Sequence, residues 1–318
     1  TKLYEFTAST SGLTDRSKSG GYNIGAKEQW RFAQFGETLI ATDYTDPIQA
    51  TTVASASAFA DLGGTPPKAK FLAVVRDQVM VGYTHDGVDG EKPYRLWWSG
   101  LNNATSWTSG TNLSDYQDIA DLGDCTRLVG GEYAIGLFER GIVRGQFVGA
   151  PLIYQFDKIS TARGCSVPGS VASIGSTVFF LSDDGFYMLS GSELVPIGAE
   201  KVNQFFYDRV NLSASENIVA AVDPLNQTVV WAYPSTHSSG VKNDELLIFN
   251  YNLNRWSRAV VSCDALAQLF TVGYTLEELD NISTSIDDLP ASLDSQLYNG
   301  GSFFFAAANN KMIKSFTG

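Results

Sequence analysis

The chain has 318 residues, of which 44% are hydrophobic, enough to bury a substantial core. Its 22 basic and 34 acidic residues leave a net charge of −12, which argues against a protein that grips nucleic acid through its phosphates, since that needs clustered Lys and Arg. No apolar stretch approaches the roughly 20 residues that span a bilayer. The chain opens with Thr1 and reads as strand at once, so a piece of a longer protein, without a signal peptide, is expected.

Short β-hairpin units recur along the chain. Leu3–Phe6 offers one strand, with little else before Gly20. A first sheet is expected over Trp30–Ala60, with strands near Trp30–Phe35 and Thr38–Thr42. A second covers Lys70–Trp107, where Phe71–Val75 turns at Arg76-Asp77 into Val79–Tyr83, and Tyr94–Ser99 follows a Gly-rich loop. A third covers Thr126–Phe156, with Tyr133–Phe138, Ile142–Phe147 and Leu152–Phe156.

The fourth unit is the clearest. Val171–Ile174, Val178–Leu181, Phe186–Leu189 and Leu194–Ile197 are separated by Gly175-Ser176, Asp183-Asp184-Gly185 and Ser190-Gly191-Ser192. Such polar, glycine-bearing turns join antiparallel strands. Helical spacing occurs in Ala199–Arg209 (Val202, Phe205, Phe206), which predicts a short helix capping this unit. A fifth unit, Ile218–Val261, holds Val219–Val222, Thr228–Tyr233, Glu245–Asn250 and Trp256–Val260. Ser302–Phe316 adds Phe303–Ala308 and Met312–Phe316.

A four-stranded sheet cannot bury both faces alone, so the copies must stack. Unit starts lie roughly 35 to 55 residues apart, the range of propeller blades. The expected fold is therefore an all-β propeller of about six four-stranded blades, with five or seven as alternatives. Residues 1–318 form one domain in this reading, and a blade shared by the N- and C-terminal strands closes the ring and removes two exposed edges. An acidic loop insertion is expected at about 273–301, inside a window (259–310) that has no Lys, Arg or His. Its carboxylates Glu277, Glu278, Asp280, Asp287, Asp288 and Asp294 are the candidate channel or interaction residues; loops this long are commonly functional or disordered.

Catalytic constellations are not assembled in the sequence. His85 and His237 each sit in polar, turn-rich stretches and read as exposed loop residues. G-x-S-x-G and H-E-x-x-H are both absent from the chain. Cys125, Cys165 and Cys263 are odd in number and widely spaced, which predicts buried free thiols in a reducing compartment. Adjacent carboxylates such as Asp183-Asp184 point to opposite faces of a strand and fit a turn better than a glycosidase pair. The acidic loop lacks calcium-loop spacing. Gly130-Gly131-Glu132-Tyr133 leads into strand and is not a dinucleotide loop. Trp97, Trp98, Trp107, Trp231 and Trp256 are expected to wedge between blades rather than to stack on sugars. No cofactor or metal is expected.

Several strings resemble virion proteins of tailed bacteriophages: Trp30–Gly36 with Leu39–Thr42, Trp98-Ser99-Gly100-Leu101, Gly130–Tyr133, Asp183–Tyr187, Pro196–Val202 and Gly273–Asp280. The nearest functional analogues are the packaged-DNA stabilisation and tail-tubular (nozzle) proteins. The resemblance implies a non-catalytic structural propeller in a tail or head-to-tail connector. It also implies other tail proteins as partners, a homo-oligomeric ring, and genomic DNA passing nearby without tight binding during ejection. The location implied is the virion tail, after assembly in the host cytoplasm. This chain is short for such a protein. The alternative is a host-receptor or glycan-binding propeller using Tyr44, Tyr83, Tyr94, Tyr274 and Tyr298, with a propeller glycosidase as the enzymatic rival.

Overall fold

In the computed structural model, residues 1–7, 12–25, 27–53, 55–237, 241–270, 279–280, 282–283, 285–289, 292–293, 303–309 and 312–316 are described. The fold is an all-β, six-bladed propeller. Five blades are four-stranded antiparallel sheets: β3–β6 (Arg31–Phe35, Thr38–Thr42, Gln49–Thr52, Ala60–Asp61), β7–β10 (Lys68–Val75, Gln78–Asp86, Gly90–Trp98, Asp115–Asp118), β11–β14 (Cys125–Val129, Ala134–Phe138, Ile142–Gly149, Ile153–Ser160), β15–β18 (Ala172–Ile174, Thr177–Ser182, Gly185–Ser190, Glu193–Pro196) and β19–β22 (Val219–Asp223, Thr228–Tyr233, Asn243–Asn250, Arg255–Cys263). The sixth has three strands among the described residues, β23–β25 (Ala265–Phe270, Phe303–Asn309, Met312–Ser315).

Two compact units are present: Thr1–Glu5 with Asp15–Asp208, and Phe6–Thr14 with Arg209–Gly318. The first holds four blades and the second holds two. The N-terminal strands β1 (Tyr4–Thr7) and β2 (Gly12–Asp15) pair as a separate two-stranded sheet. The stretch Phe6–Thr14 nevertheless groups with the C-terminal blades. The expected blade shared by both termini is not seen among the described residues: β23–β25 holds no N-terminal strand, and Thr1–Glu5 belongs to the first unit.

Both faces of a blade are buried, and alternation along each strand divides the side chains between neighbours. In β7 and β8, Leu72, Val79 and Val81 pack with Ile40 and Ile48 of the first blade. Between them in sequence, Phe71, Ala73, Val75 and Met80 pack with Leu128, Phe138 and Val143 of the third. In the third blade, Ile135 and Leu137 turn away from that cluster to meet Val178 and Phe180 of the fourth. This is why the strands read as unbroken apolar runs. Trp98 and Trp107 are buried and Trp97 partly buried in clusters that join neighbouring blades, as the inter-blade role predicts, whereas the buried Trp231 stacks at 5.5 Å on the half-buried Trp256 of its own blade.

The Gly130-Gly131 pair belongs to a blade seam. Gly131 N donates to Val74 O at 3.0 Å and Arg76 N donates to Gly131 O at 2.9 Å, joining β7 to the end of β11. A Cβ on Gly130 would lie 2.0 Å from Val74 O, so only glycine permits the approach. The Asp183-Asp184-Gly185 segment is the β16–β17 hairpin turn, with Gly185 at φ +139°. The capping helix is shorter than its expected span: α1 covers Asn203–Tyr207, because Gly198 O gathers the amides of Lys201, Val202 and Asn203 into a preceding turn.

Six strands (β2, β5, β6, β10, β11 and β23) were not named from the sequence. The second blade was expected to end at Trp107, but its outer strand is the polar Asp115–Asp118, which presents three of its four side chains to solvent as an edge strand can. In the sixth blade, Ala265–Phe270 pairs with Phe303–Asn309 from Ala265↔Ala308 to Phe270↔Phe303.

In the second unit, Glu245 is 3% exposed and ties three strands together. It accepts from Tyr233 Oη at 2.6 Å, from Arg209 Nε at 3.1 Å, and from Arg258 Nε at 3.1 Å and Nη2 at 3.0 Å. Burial alone would raise its pKa, but these donors hold it down to about 2.

Two outcomes follow. Gly130→Ala should destabilise the fold by about 2–4 kcal/mol through a backbone clash, read as a fall in Tm. Because the folded pKa of Glu245 lies below its unfolded value, its stabilisation is complete above about pH 4.5 and lost as pH falls toward 2, amounting to about 3 kcal/mol. Urea titrations across that range should show the loss in the parent and a flatter acid limb in Glu245→Gln.

Candidate functional site

The first strands of the first four blades converge on a cavity of about 410 Å³. It is lined by Phe32 and Ala33 of β3, Leu72–Val74 of β7, Arg127–Val129 of β11 with Gly130 and Gly131, and Val171 and Ser173 at β15. The volume is that of a small-molecule site. Its exposed lining is more polar than apolar and open to solvent, and Arg127 is the charged side chain among the lining residues.

At the starts of these inner strands lies a second group. Lys70 of β7 sits 3.3 Å from Glu28, with its ammonium 3.9 Å from the Tyr83 ring centroid and 5.1 Å from that of Tyr44. The two rings meet edge-to-face at 5.4 Å. Tyr44 Oη donates to Glu91 Oε1 at 2.5 Å, and Tyr83 hydrogen-bonds the same carboxylate. Tyr44, then Tyr83, holds the Glu91 carboxyl below its ordinary range, while burial and then that bond push both phenols up.

This arrangement has a backbone cause. Tyr44 and Tyr83 have φ of 71° and 57°, a region that costs an L-residue about 1–2 kcal/mol. Tyr83 falls where the β8–β9 register shifts between Gly82 and Thr84. Such a bulge re-aims a side chain out of the regular alternation.

Tyr44 and Tyr83 are therefore the sequence-predicted aromatics that come together. Both are half-buried, Tyr44 in the loop between β4 and β5 and Tyr83 on β8, and Tyr94 is half-buried within β9. Tyr274 and Tyr298 lie outside the described residues. Of the acidic loop, Asp280, Asp287 and Asp288 are exposed, the last two in a single 3-10 turn. Glu277, Glu278 and Asp294 also lie outside the described residues.

His85 is exposed but stands on strand β8 opposite Glu91, not in a loop, because that hairpin extends to Asp86. His237 is exposed in a turn. The three cysteines are free and buried; burial pushes Cys125 up to about 12 and Cys165 to about 11, which keeps both as neutral thiols. Among the described residues, no group of three His, Cys, Asp or Glu side chains is placed to hold a metal ion. No helix among them is long and apolar enough to cross a membrane.

Sequence reasoning missed the arginines. Arg95, 3% exposed, is clamped by Asp118 at 2.6 and 3.0 Å and by Asp89 at 2.5 Å, with its guanidinium 3.8 Å from the Tyr116 ring centroid. The signal available was an Arg inside an apolar strand, which demands a buried carboxylate.

No family model matches the chain, and no curated protein matches it. A solved structure to which it is similar is dihydro-heme d1 dehydrogenase NirN in complex with DHE, at 9% identity and a TM-score of 0.44. The match covers 75% of this chain and 48% of that one, so this chain spans about half the length of that protein.

Lys70→Met removes an ion pair and a cation held against two rings, and should cost about 1–2 kcal/mol in urea denaturation. The difference from the parent should narrow in high salt, since the Glu28 pair is partly exposed.

Proposed function

We propose that this chain is a non-catalytic structural propeller of a phage tail or head-to-tail assembly, bordering the path of the genome. The observation that carries the reading is where the strong ionic groups go. The Glu245 cluster locks β20, β21 and β22 together, and the Arg95 cluster locks β9 to β10. These groups are spent on holding blades rigid, as a load-transmitting particle component requires. Support also comes from the phage-like strings and from the net charge of −12, which disfavours adhesion of a passing polyanion.

The exposed Asp280, Asp287 and Asp288 belong to the acidic segment that would face the nucleic acid. The inner-strand cavity, at about 410 Å³, is far too small for a duplex. DNA would therefore pass through a ring of copies and not through one propeller. Partners in this reading are further copies of the chain and other tail proteins.

A second reading, a receptor- or glycan-binding propeller, is favoured by one observation: the strained, perpendicular Tyr44–Tyr83 pair. Aromatic pairs of this kind offer a sugar an apolar face beside a carboxylate, here Glu91.

Cryo-electron microscopy of purified particles should place the propeller in a symmetric ring at the tail, and the purified chain should not retard duplex DNA even at low ionic strength. Absence from particles would reject the structural reading, and tight DNA binding would reject the repulsive surface. Competable glycan binding lost in Tyr83→Ala would favour the second reading instead.

A further inference from the structure

Two arginines on the inner strands have no carboxylate of their own. Arg31 opens β3, whose next two residues line the 410 Å³ cavity, and Arg127 lines it directly from β11. Neither guanidinium makes a hydrogen bond or ion pair with a described residue, and the Arg127 backbone carbonyl accepts from Cys125 Sγ at 3.7 Å. They come from the first and third blades, and both belong to the first compact unit. Burial lowers the pKa of each, and the Arg127 charge lowers that of Arg31 further, to about 9.

Every neighbouring group leaves this charge uncompensated. Glu28 attracts Arg31 but is already bound to Lys70 at 3.3 Å. Cys125 and Cys165, beside Arg127, are held as neutral thiols by burial. A third cation, Lys70, stands on the β7 strand between the two arginines' strands. Both side chains are half-buried, where like charges without a counter-charge repel one another, and guanidinium forks match oxyanions closely.

We propose that the inner-strand cavity of the first four blades is a binding site for a compact oxyanion, phosphate or carboxylate, held by Arg127 and Arg31. The site is separate from the acidic loop and does not depend on the tail assignment. It admits a free anion or the carboxylate terminus of a small ligand, which share the chemistry a guanidinium reads.

The test uses the purified full chain at matched ionic strength, with chloride replaced by inorganic phosphate in one arm and by acetate in the other. A saturable rise in Tm with phosphate alone identifies a phosphate-type site, and a rise with both identifies one that also takes carboxylates. Arg127→Gln and Arg31→Gln should each weaken binding by about tenfold or more. In anion-free buffer Arg127→Gln should be at least as stable as the parent, because a repulsion has been removed. The parent's arginine Nε–H signals should also shift on phosphate addition, which reads the site without any variant. No saturable response to either anion, or an undiminished response in both variants, would overturn the proposal.

Discussion

The structure depends on one constraint: each blade has two apolar faces, and neither can be covered by its own strands. Stacking is the solution, and it assigns alternate side chains of one strand to different neighbours. Leu72 meets the first blade, whereas Phe71 and Ala73 meet the third. A blade is therefore not an independent folding unit but half of two interfaces. Loss of packing at one seam is felt across two cores.

Stacking brings first strands close together, and that closeness has two consequences. Backbones approach so nearly at the β7–β11 seam that a side chain on Gly130 cannot be accommodated. The same convergence forms an open cavity lined by Arg127 and Ser173 among apolar and glycine residues. Arg31, next to the lining residue Phe32, and Arg127 lie about 100 positions apart in sequence, on strands that flank β7. The outer strands show the opposite pattern. Arg95 is paired with Asp118 and Arg258 with Glu245.

Much of the blade pattern was legible in the sequence, because period-two apolar runs and glycine turns carry strong local signals. Thr38–Thr42 and Thr228–Tyr233 have the bounds their apolar runs imply. Asp115–Asp118 was not legible, since an edge strand keeps only some of its side chains from water and its sequence is polar. Tyr83 was recognisable as an aromatic but not as a bulge residue; a one-residue register shift leaves no compositional mark. The arginine pair was illegible for a different reason. Its meaning lies in the missing counter-charge, which only the assembled inner strands reveal.

The most direct measurement is a high-resolution crystal structure of the purified chain grown from phosphate buffer. The account predicts four inner strands converging on the cavity, the Val75–Gly131 bridge intact, and tetrahedral density against both Arg31 and Arg127. Two face-to-face sheets in place of blades, or Arg127 paired with a carboxylate of its own chain, would contradict it.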